Sequence, residues 1–356
     1  MPQIKPRELH RFHTRLGDWY RAHGRHHLPW RQTDDPYRIW LSEVMLQQTQ
    51  VSTVLARFYI PFLARFPTVE SLARADRQAV MKAWEGLGYY RRAGFLHAAA
   101  KEACARRLLV TRVGRQAAPR SGRGKPREGG ESPPSIQELL SLPGIGKNTA
   151  HAIAAFAYRQ PVAILEANVK RVVARIFALQ TPTEKELWAG AETLLNRAEP
   201  FDYNQAMMDL GSLICTPRAP DCAACPANGI CMGQHAPEAY PAPKAKKSIP
   251  TRQVVIHVRQ DRTGRHYLEQ RSDALLGGLW GFPQSAREHA LTPPTSQLLG
   301  TVTHIYSHFR LEGAVHHEKT RTRGNSSNWF TAEEIRALPL SKLDHKVLAL
   351  VDKRHT

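Results

Sequence analysis

Long apolar runs are missing from this 356-residue chain: no stretch of about 18 residues is apolar enough to serve as a transmembrane helix. Cysteine is scarce, at five residues, which excludes a small scaffold stapled by disulfides. Acidic side chains are short as well. Fifty Lys and Arg stand against 31 Asp and Glu, a net charge of +19, so a polyanionic partner is expected. The opening MPQIKPRELHRF has no apolar core of the kind a secretory signal needs. A cytoplasmic, reducing compartment is therefore the expectation, in the nucleoid if the polyanion is DNA. Apolar residues make up 42% and charged residues 23%, ordinary for a globular protein, and the length allows two or three domains.

The charge is uneven. Residues 250–356 hold 15 basic and 10 acidic side chains, and residues 1–249 hold 35 and 21. Residues 38–110 show helical periodicity, as in Val51, Val54, Leu55 and Phe58. Residues 111–134 turn to Arg, Gly, Pro and Ser with few apolar groups, and read as a solvated, disordered basic insertion. Helix returns over 135–214, where Ile153, Ala154 and Ala157 share one face and Val169, Val172, Val173 and Ile176 another. The four prolines of HAPEAYPAPKAKKSIP mark residues 236–249 as a linker. Beyond it VVIHV and HYLEQR around a DRTG turn suggest a hairpin, and 333–338 with 342–351 suggest closing helices, so residues 250–356 read as a mixed α/β domain.

Four of the cysteines, Cys215, Cys222, Cys225 and Cys231, fall within 17 residues. Four thiolates so spaced can wrap one soft-metal centre, either a tetrahedral zinc or a four-iron cluster, and the spacing leaves both open. Cys104 reads as a core residue. The stretch Leu142-Pro143-Gly144-Ile145-Gly146-Lys147-Asn148-Thr149-Ala150 joins two helices through a turn holding two glycines, near residues 135–157. Such a turn aims backbone N–H groups and a helix N-terminus at an anion, and Lys147 adds positive charge, so a DNA phosphate is the natural ligand.

The helix-hairpin-helix LPGIGKNTA, the cysteine spacing, WLSEVMLQQTQV at 40–51, GLGYYRRA at 86–93 and YNQAMMDLG at 203–211 together resemble the MutY family of adenine DNA glycosylases. The resemblance is dense over residues 7–235. It implies an all-α helix-hairpin-helix glycosylase domain over 1–235 with an iron-sulfur module at 215–231, then a NUDIX-like α/β domain that reads 8-oxoguanine. It implies an enzyme of base excision repair that removes adenine opposite 8-oxoguanine or guanine in double-stranded DNA. It also implies that the four cysteines ligate one 4Fe-4S cluster. A monomer is expected, and the sequence names no protein partner.

Excising adenine requires protonating a poor leaving group and stabilising an oxocarbenium-like sugar, a task for two carboxyl groups in different states. Glu43 lies in the apolar run IWLSEVML, where burial raises a carboxyl pKa, and by similarity it protonates the adenine ring. The second carboxylate falls at Glu166, where the family pattern reads aspartate, with Asn168 implied to orient it. The added methylene departs from the pattern. A displacement of about 1 Å can cost on the order of a hundredfold in rate, which leaves open a mispair-binding protein with impaired cleavage. Bifunctional relatives of the endonuclease III type carry a Schiff-base lysine where this chain has Asn148, so a monofunctional enzyme is expected and a glycosylase-lyase is the other alternative. Gln47, Gln48 and Tyr89 resemble residues that wedge into the duplex and read the partner base, and Arg25, Trp30, Leu46, Glu184 and Gln205 match positions around an extruded adenine. GGLWGFP and HIYSHFRLEG resemble the NUDIX-like module, with Tyr306, Ser307 and His308 on the oxidised base. The segment after Pro283 offers only Glu288 for metal ions, so phosphohydrolysis is not expected there.

Overall fold

The computed structural model describes residues 3–109, 132–243, 248–273, 275–286, 296–320 and 327–353. Nearly all of the expected basic insertion at 111–134 lies outside the described residues, as does Glu288. Contacts divide the chain into two units. The first comprises residues 1–55, 68–70 and 99–245, and the second 56–67, 71–98 and 246–356. No helix among the described residues is long and apolar enough to cross a membrane.

The helical run of 38–110 is broken into short pieces. After α1 (Pro6–His23) come α2 (Pro36–Leu46), α3 (Val51–Arg57), α4 (Tyr59–Arg65), α5 (Val69–Arg74), α6 (Arg77–Ala83) and α7 (Arg91–Ala105). Local chemistry sets the starts: Asp35 accepts from the N–H groups of Tyr37 and Arg38 with Pro36 in the first turn of α2, and Asp76 does the same for α6. Cys104 sits half-buried near the end of α7, and Leu108 lies beyond that helix. Next, α8 (Ile136–Leu140) opens on a Ser135–Glu138 capping box, and a turn with Gly144 at φ +74° leads into α9 (Lys147–Tyr158). This is the expected helix-hairpin-helix, and the positive φ is the reason glycine stands at 144. Three helices follow, α10 (Ala167–Ile176), α11 (Glu184–Leu194) and α12 (Pro200–Leu213).

Within the first unit α2 packs on α9, and α12 packs on α1 and α10. The apolar stripe of α10, Val169, Val172, Val173 and Ile176, closes on Phe12, Leu16 and Tyr20 of α1 and on Met207 and Leu210 of α12. The first part of the expected linker is tied down: Ala242 N–H donates to the Gln180 carbonyl at 2.7 Å, and Glu238 accepts from Ala219 N–H at 2.8 Å.

In the second unit every described strand follows residue 250. They are β1 (Thr251–Gln260), β2 (His266–Tyr267), β3 (Glu269–Gln270), β4 (Trp280–Gly281), β5 (Gln284–Ala286), β6 (Gln297–Ile305), β7 (Arg310–Lys319) and β8 (Trp329–Phe330). The sheet runs β6-β7-β1-β2-β8, with β5 beside β1, while β3 and β4 pair separately. The expected β1–β2 hairpin is reduced to one register pair, Gln260 with His266. Instead β1 runs parallel to β7 over its whole length, and β6 with β7 forms the long antiparallel hairpin. Residues 254–258, VVIHV, supply the mainly apolar, buried run of a strand flanked on both sides, which local turn signals do not reveal. The closing helices α13 (Ala332–Ala337) and α14 (Lys342–Asp352) cover the face bearing Ile256, Val258, Leu311 and Val315.

Candidate active site

Two carboxyl groups from different helices lie within electrostatic range of each other in the first unit. Glu43, near the end of α2, keeps some exposed surface, yet desolvation pushes its pKa up to about 7; the Glu166 carboxylate adds to the rise and Arg31 opposes it. Glu166 is the N-cap of α10. Its Oε2 accepts from the Asn168 N–H at 2.9 Å and its Oε1 from the Val169 N–H at 3.1 Å. The Asn168 side-chain amide adds a third bond at 3.3 Å. Burial raises the Glu166 pKa, and these donors at the positive end of a helix oppose the rise. The extra methylene is absorbed in the cap itself, since the carboxylate folds back onto the first turn of α10.

A second anchor was not foreseen from the sequence. Asp209, fully buried on α12, accepts from Arg31 at 2.6 and 2.9 Å and from the Arg25 backbone N–H and Nε at 2.9 and 2.7 Å. Burial would lift its pKa, but hydrogen bonds and charge from Arg31 and then Arg25 hold it below the usual carboxylate range. An aspartate between AMM and LG was the available signal, because a lone acid in an apolar helix requires a paired cation. Trp30 is buried beside Arg31 in the short turn Pro29–Arg31, and Gln205, one helical turn before Asp209, is 2% exposed with no hydrogen-bond partner for its Oε1. Leu46, half-buried, ends α2; Gln47 and Gln48 follow on the surface, Gln48 with φ +56°.

Asn148 has a task of its own. Its Oδ1 accepts the Leu165 N–H at 2.7 Å, fixing the segment that leads into Glu166 to the first turn of α9. Lys147, exposed at the same helix start, holds its ammonium 3.9 Å from the centre of the Trp188 ring, and a side chain at Gly146 would meet nothing within 4 Å. The hairpin end is thus open to an anion. Glu184 begins α11 on the surface, 3.2 Å from Lys170.

Cys215, Cys222, Cys225 and Cys231 line one small cavity together with Arg175. Burial pushes the Cys225 thiol up to about 12 and Cys231 to about 11, with the neighbouring sulfurs adding to both. Among the described residues no three His, Cys, Asp or Glu converge as a single metal ion requires. Two arginines of α10, also unforeseen, connect this loop to the rest. Arg171 donates to the Cys215 carbonyl (2.8 Å), to Asn168 Oδ1 (2.9 Å) and to the Gly211 carbonyl (2.6 Å). Arg175, 3% exposed, donates to Cys215 Sγ at 3.3 Å and to the carbonyls of Thr216 and Pro237. Basic residues four apart on an otherwise apolar stripe were the signal.

The remaining candidates lie in the second unit. Tyr89 is 44% exposed at φ +49°, under the Arg92 guanidinium. Tyr306, Ser307 and His308 form the turn between β6 and β7. Tyr306 stacks on Phe309 at 4.7 Å with burial lifting its pKa to about 12, while Ser307 and His308 are exposed and 3.0 Å apart. His308 is therefore a surface group rather than a core one.

The HhH-GPD superfamily of base excision DNA repair proteins matches residues 41–197, and the NUDIX domain family matches residues 254–350. The adenine DNA glycosylase of Rattus norvegicus is 30% identical over 424 residues, which covers 96% of this chain and 78% of that protein. Those of Buchnera aphidicola subsp. Baizongia pistaciae and Homo sapiens are 36% and 35% identical, and the matched parts span only 57% and 40% of their lengths. A thermostable thymine-DNA glycosylase of known structure superposes with TM-score 0.53 at 26% identity, covering 64% of this chain and 97% of that one. An endonuclease III in complex with DNA shares the helical fold at TM-score 0.51 and 16% identity.

Proposed function

The chain belongs to the adenine DNA glycosylase family, and on that premise we propose that it hydrolyses the N-glycosidic bond of adenine opposite 8-oxoguanine or guanine in double-stranded DNA. The observation that carries the reading is the pairing of Glu43, with a pKa near 7, and Glu166, held by three donors. The first, titrating near neutrality, still holds its proton in a substantial share of molecules there and gives it to the adenine ring. The second, in its ionised form, stabilises the sugar cation that develops as the bond breaks. Arg25, Trp30, Leu46 and Gln205 line the extruded base. The unpartnered Gln205 Oε1 is suited to accept a hydrogen bond from an exocyclic amine.

Bond cleavage ends at the abasic site. Asn148 accepts a backbone hydrogen bond where a lyase would present an amine, which supports a monofunctional enzyme over an endonuclease III-like lyase. The cap bonds of Glu166 favour a competent catalyst over a protein that only binds the mispair. Gln47, Gln48 and Tyr89 enter the duplex, the hairpin end at Gly144, Gly146 and Lys147 grips a phosphate, and Tyr306, Ser307 and His308 read the oxidised base. Glu184 belongs to the rim through Lys170. Four thiols around one cavity suit one 4Fe-4S cluster held by Cys215, Cys222, Cys225 and Cys231. Such a cluster would brace the loop at 215–231.

The test is single-turnover adenine release from a duplex with one A:8-oxoguanine pair, resolved with and without hot alkali. Strand breaks only after alkali are expected. Breaks without alkali, trapped by borohydride, would point to the lyase, and tight binding with no release to a mispair-binding protein.

A further inference from the structure

The second unit joins residues 56–67 and 71–98 to the C-terminal domain, far away in sequence, and a group of hydrogen bonds at that junction takes no part in the excision chemistry. Lys82, on α6, donates through Nζ to the carbonyls of Arg336 (2.7 Å) and Leu338 (2.9 Å), which the end of α13 leaves open. The same ammonium is 2.6 Å from Glu85 Oε2. Glu85 Oε1 accepts from the Leu340 N–H at 2.8 Å and from His345 Nε2 at 2.9 Å.

Tyr90 completes the group from inside. Its buried hydroxyl accepts from the Gly86 N–H at 3.0 Å and donates toward the Leu340 carbonyl at 3.4 Å. Both polar backbone atoms of Leu340 are therefore held by residues that flank the Gly86–Tyr89 turn. The turn is braced on its other side, where Trp84 Nε1 and Arg92 Nη2 both donate to the Gly88 carbonyl, at 3.2 and 3.1 Å. Leu340 itself is fully buried in the C-terminal core that includes Phe309, and Tyr306 packs against that core. Tyr306, Phe309 and Leu340 thus belong to one packed core, and Leu340 is bonded in turn to the residues that flank the turn carrying Tyr89. Close-packed interiors transmit small displacements instead of absorbing them.

We propose that Tyr90 and Glu85 are positioning residues that fix the Tyr89 turn to the C-terminal domain, so that 8-oxoguanine held at Tyr306–His308 sets the Tyr89 side chain for excision and confers the preference over guanine. The proposal rests on the adenine-release reading. Burial keeps the Tyr90 phenol neutral, with its pKa raised to about 12, so the hydroxyl remains a donor throughout the working range. Neither residue belongs to the set assigned to base, sugar or phosphate, which separates their effect from loss of chemistry.

The experiment uses the full-length, cluster-loaded protein and compares single-turnover adenine release from A:8-oxoguanine and A:G duplexes. Tyr90→Phe deletes one hydroxyl and keeps the ring. It is expected to reduce the 8-oxoguanine-to-guanine rate ratio about tenfold, the scale set by loss of one or two hydrogen bonds, with the A:G rate within about twofold of wild type. Glu85→Ala should match it, and Glu85→Gln, which retains an oxygen for the Leu340 N–H, should fall between. A ratio that stays at the wild-type value in Tyr90→Phe and Glu85→Ala overturns the proposal, as does an equal loss on both duplexes. Thermal melts identify a variant that has lost its fold, and Tyr90→Phe, the milder change, then decides. Absence of release by the wild-type protein would instead sink the adenine-release reading. The ratio of equilibrium affinities for the two duplexes then serves in place of the rates, and an unchanged ratio in Tyr90→Phe overturns the coupling.

Discussion

At the residue scale the proposed chemistry depends on a carboxyl that keeps its proton near neutrality. The folded pKa of Glu43, about 7, lies above the ordinary 4.5. Between those values the folded protein holds a proton that the unfolded chain has released, so its contribution is intact below about pH 4.5 and is lost as pH rises through 7. Glu43→Gln should therefore raise the unfolding free energy at pH 8 by on the order of 3 kcal/mol and leave it nearly unchanged at pH 4.5, as read from urea melts. The same change should abolish adenine release while sparing mispair binding, and in the wild type kcat should decline as pH rises past about 7. Stability gains of equal size at both pH values would remove the basis for treating Glu43 as the acid. Glu166 invites a paired comparison. Glu166→Gln removes the charge and should slow release by at least about a hundredfold, whereas Glu166→Asp keeps both charge and cap and should stay within about tenfold of wild type. Equal losses in the two would show that the reach of the Glu166 side chain, not its charge, is what matters there.

At the scale of elements, α10 connects the parts: it begins at Glu166, and its Arg171 and Arg175 end on the cysteine loop. The close approach of α12 depends on Gly211, where an added Cβ would lie 2.6 Å from the Asn168 Cβ and 3.0 Å from its carbonyl oxygen. Gly211→Ala should push Asn168 off Glu166, costing about 1–3 kcal/mol of stability and a disproportionate share of kcat. A variant as active and as stable as wild type would show that the helices can part without consequence. Much of this was legible in the sequence. The α8–α9 hairpin, the α10 stripe and Glu43 all announced themselves through spacing and local polarity. The Asp209 knot and the α10 arginines did not, because their partners lie about 40 to 180 residues away, and a buried ion pair is defined only when both halves are seen together. The parallel β1–β7 ladder was hidden for the same reason, since a turn signal reports nearest neighbours alone.

For the molecule as a whole, a charge of +19 makes affinity for a polyanion a property of the salt as much as of the protein. If some six phosphates are contacted, raising salt from about 50 to about 200 mM should weaken duplex binding roughly a thousandfold in fluorescence anisotropy, for mispaired and matched duplexes alike. A flat salt dependence would remove DNA from consideration as the polyanion. One feature of the backbone bears on how such a molecule can be improved. Gln48 and Tyr89 both hold the left-handed conformation, at φ +56° and +49°, at a cost of about 1–2 kcal/mol each. Glycine or asparagine would relieve it. On the proposed reading of Gln48 and Tyr89, a laboratory selection for heat tolerance alone should thus accumulate those two replacements early and deliver a sturdier protein that has forgotten how to tell damaged duplex from sound.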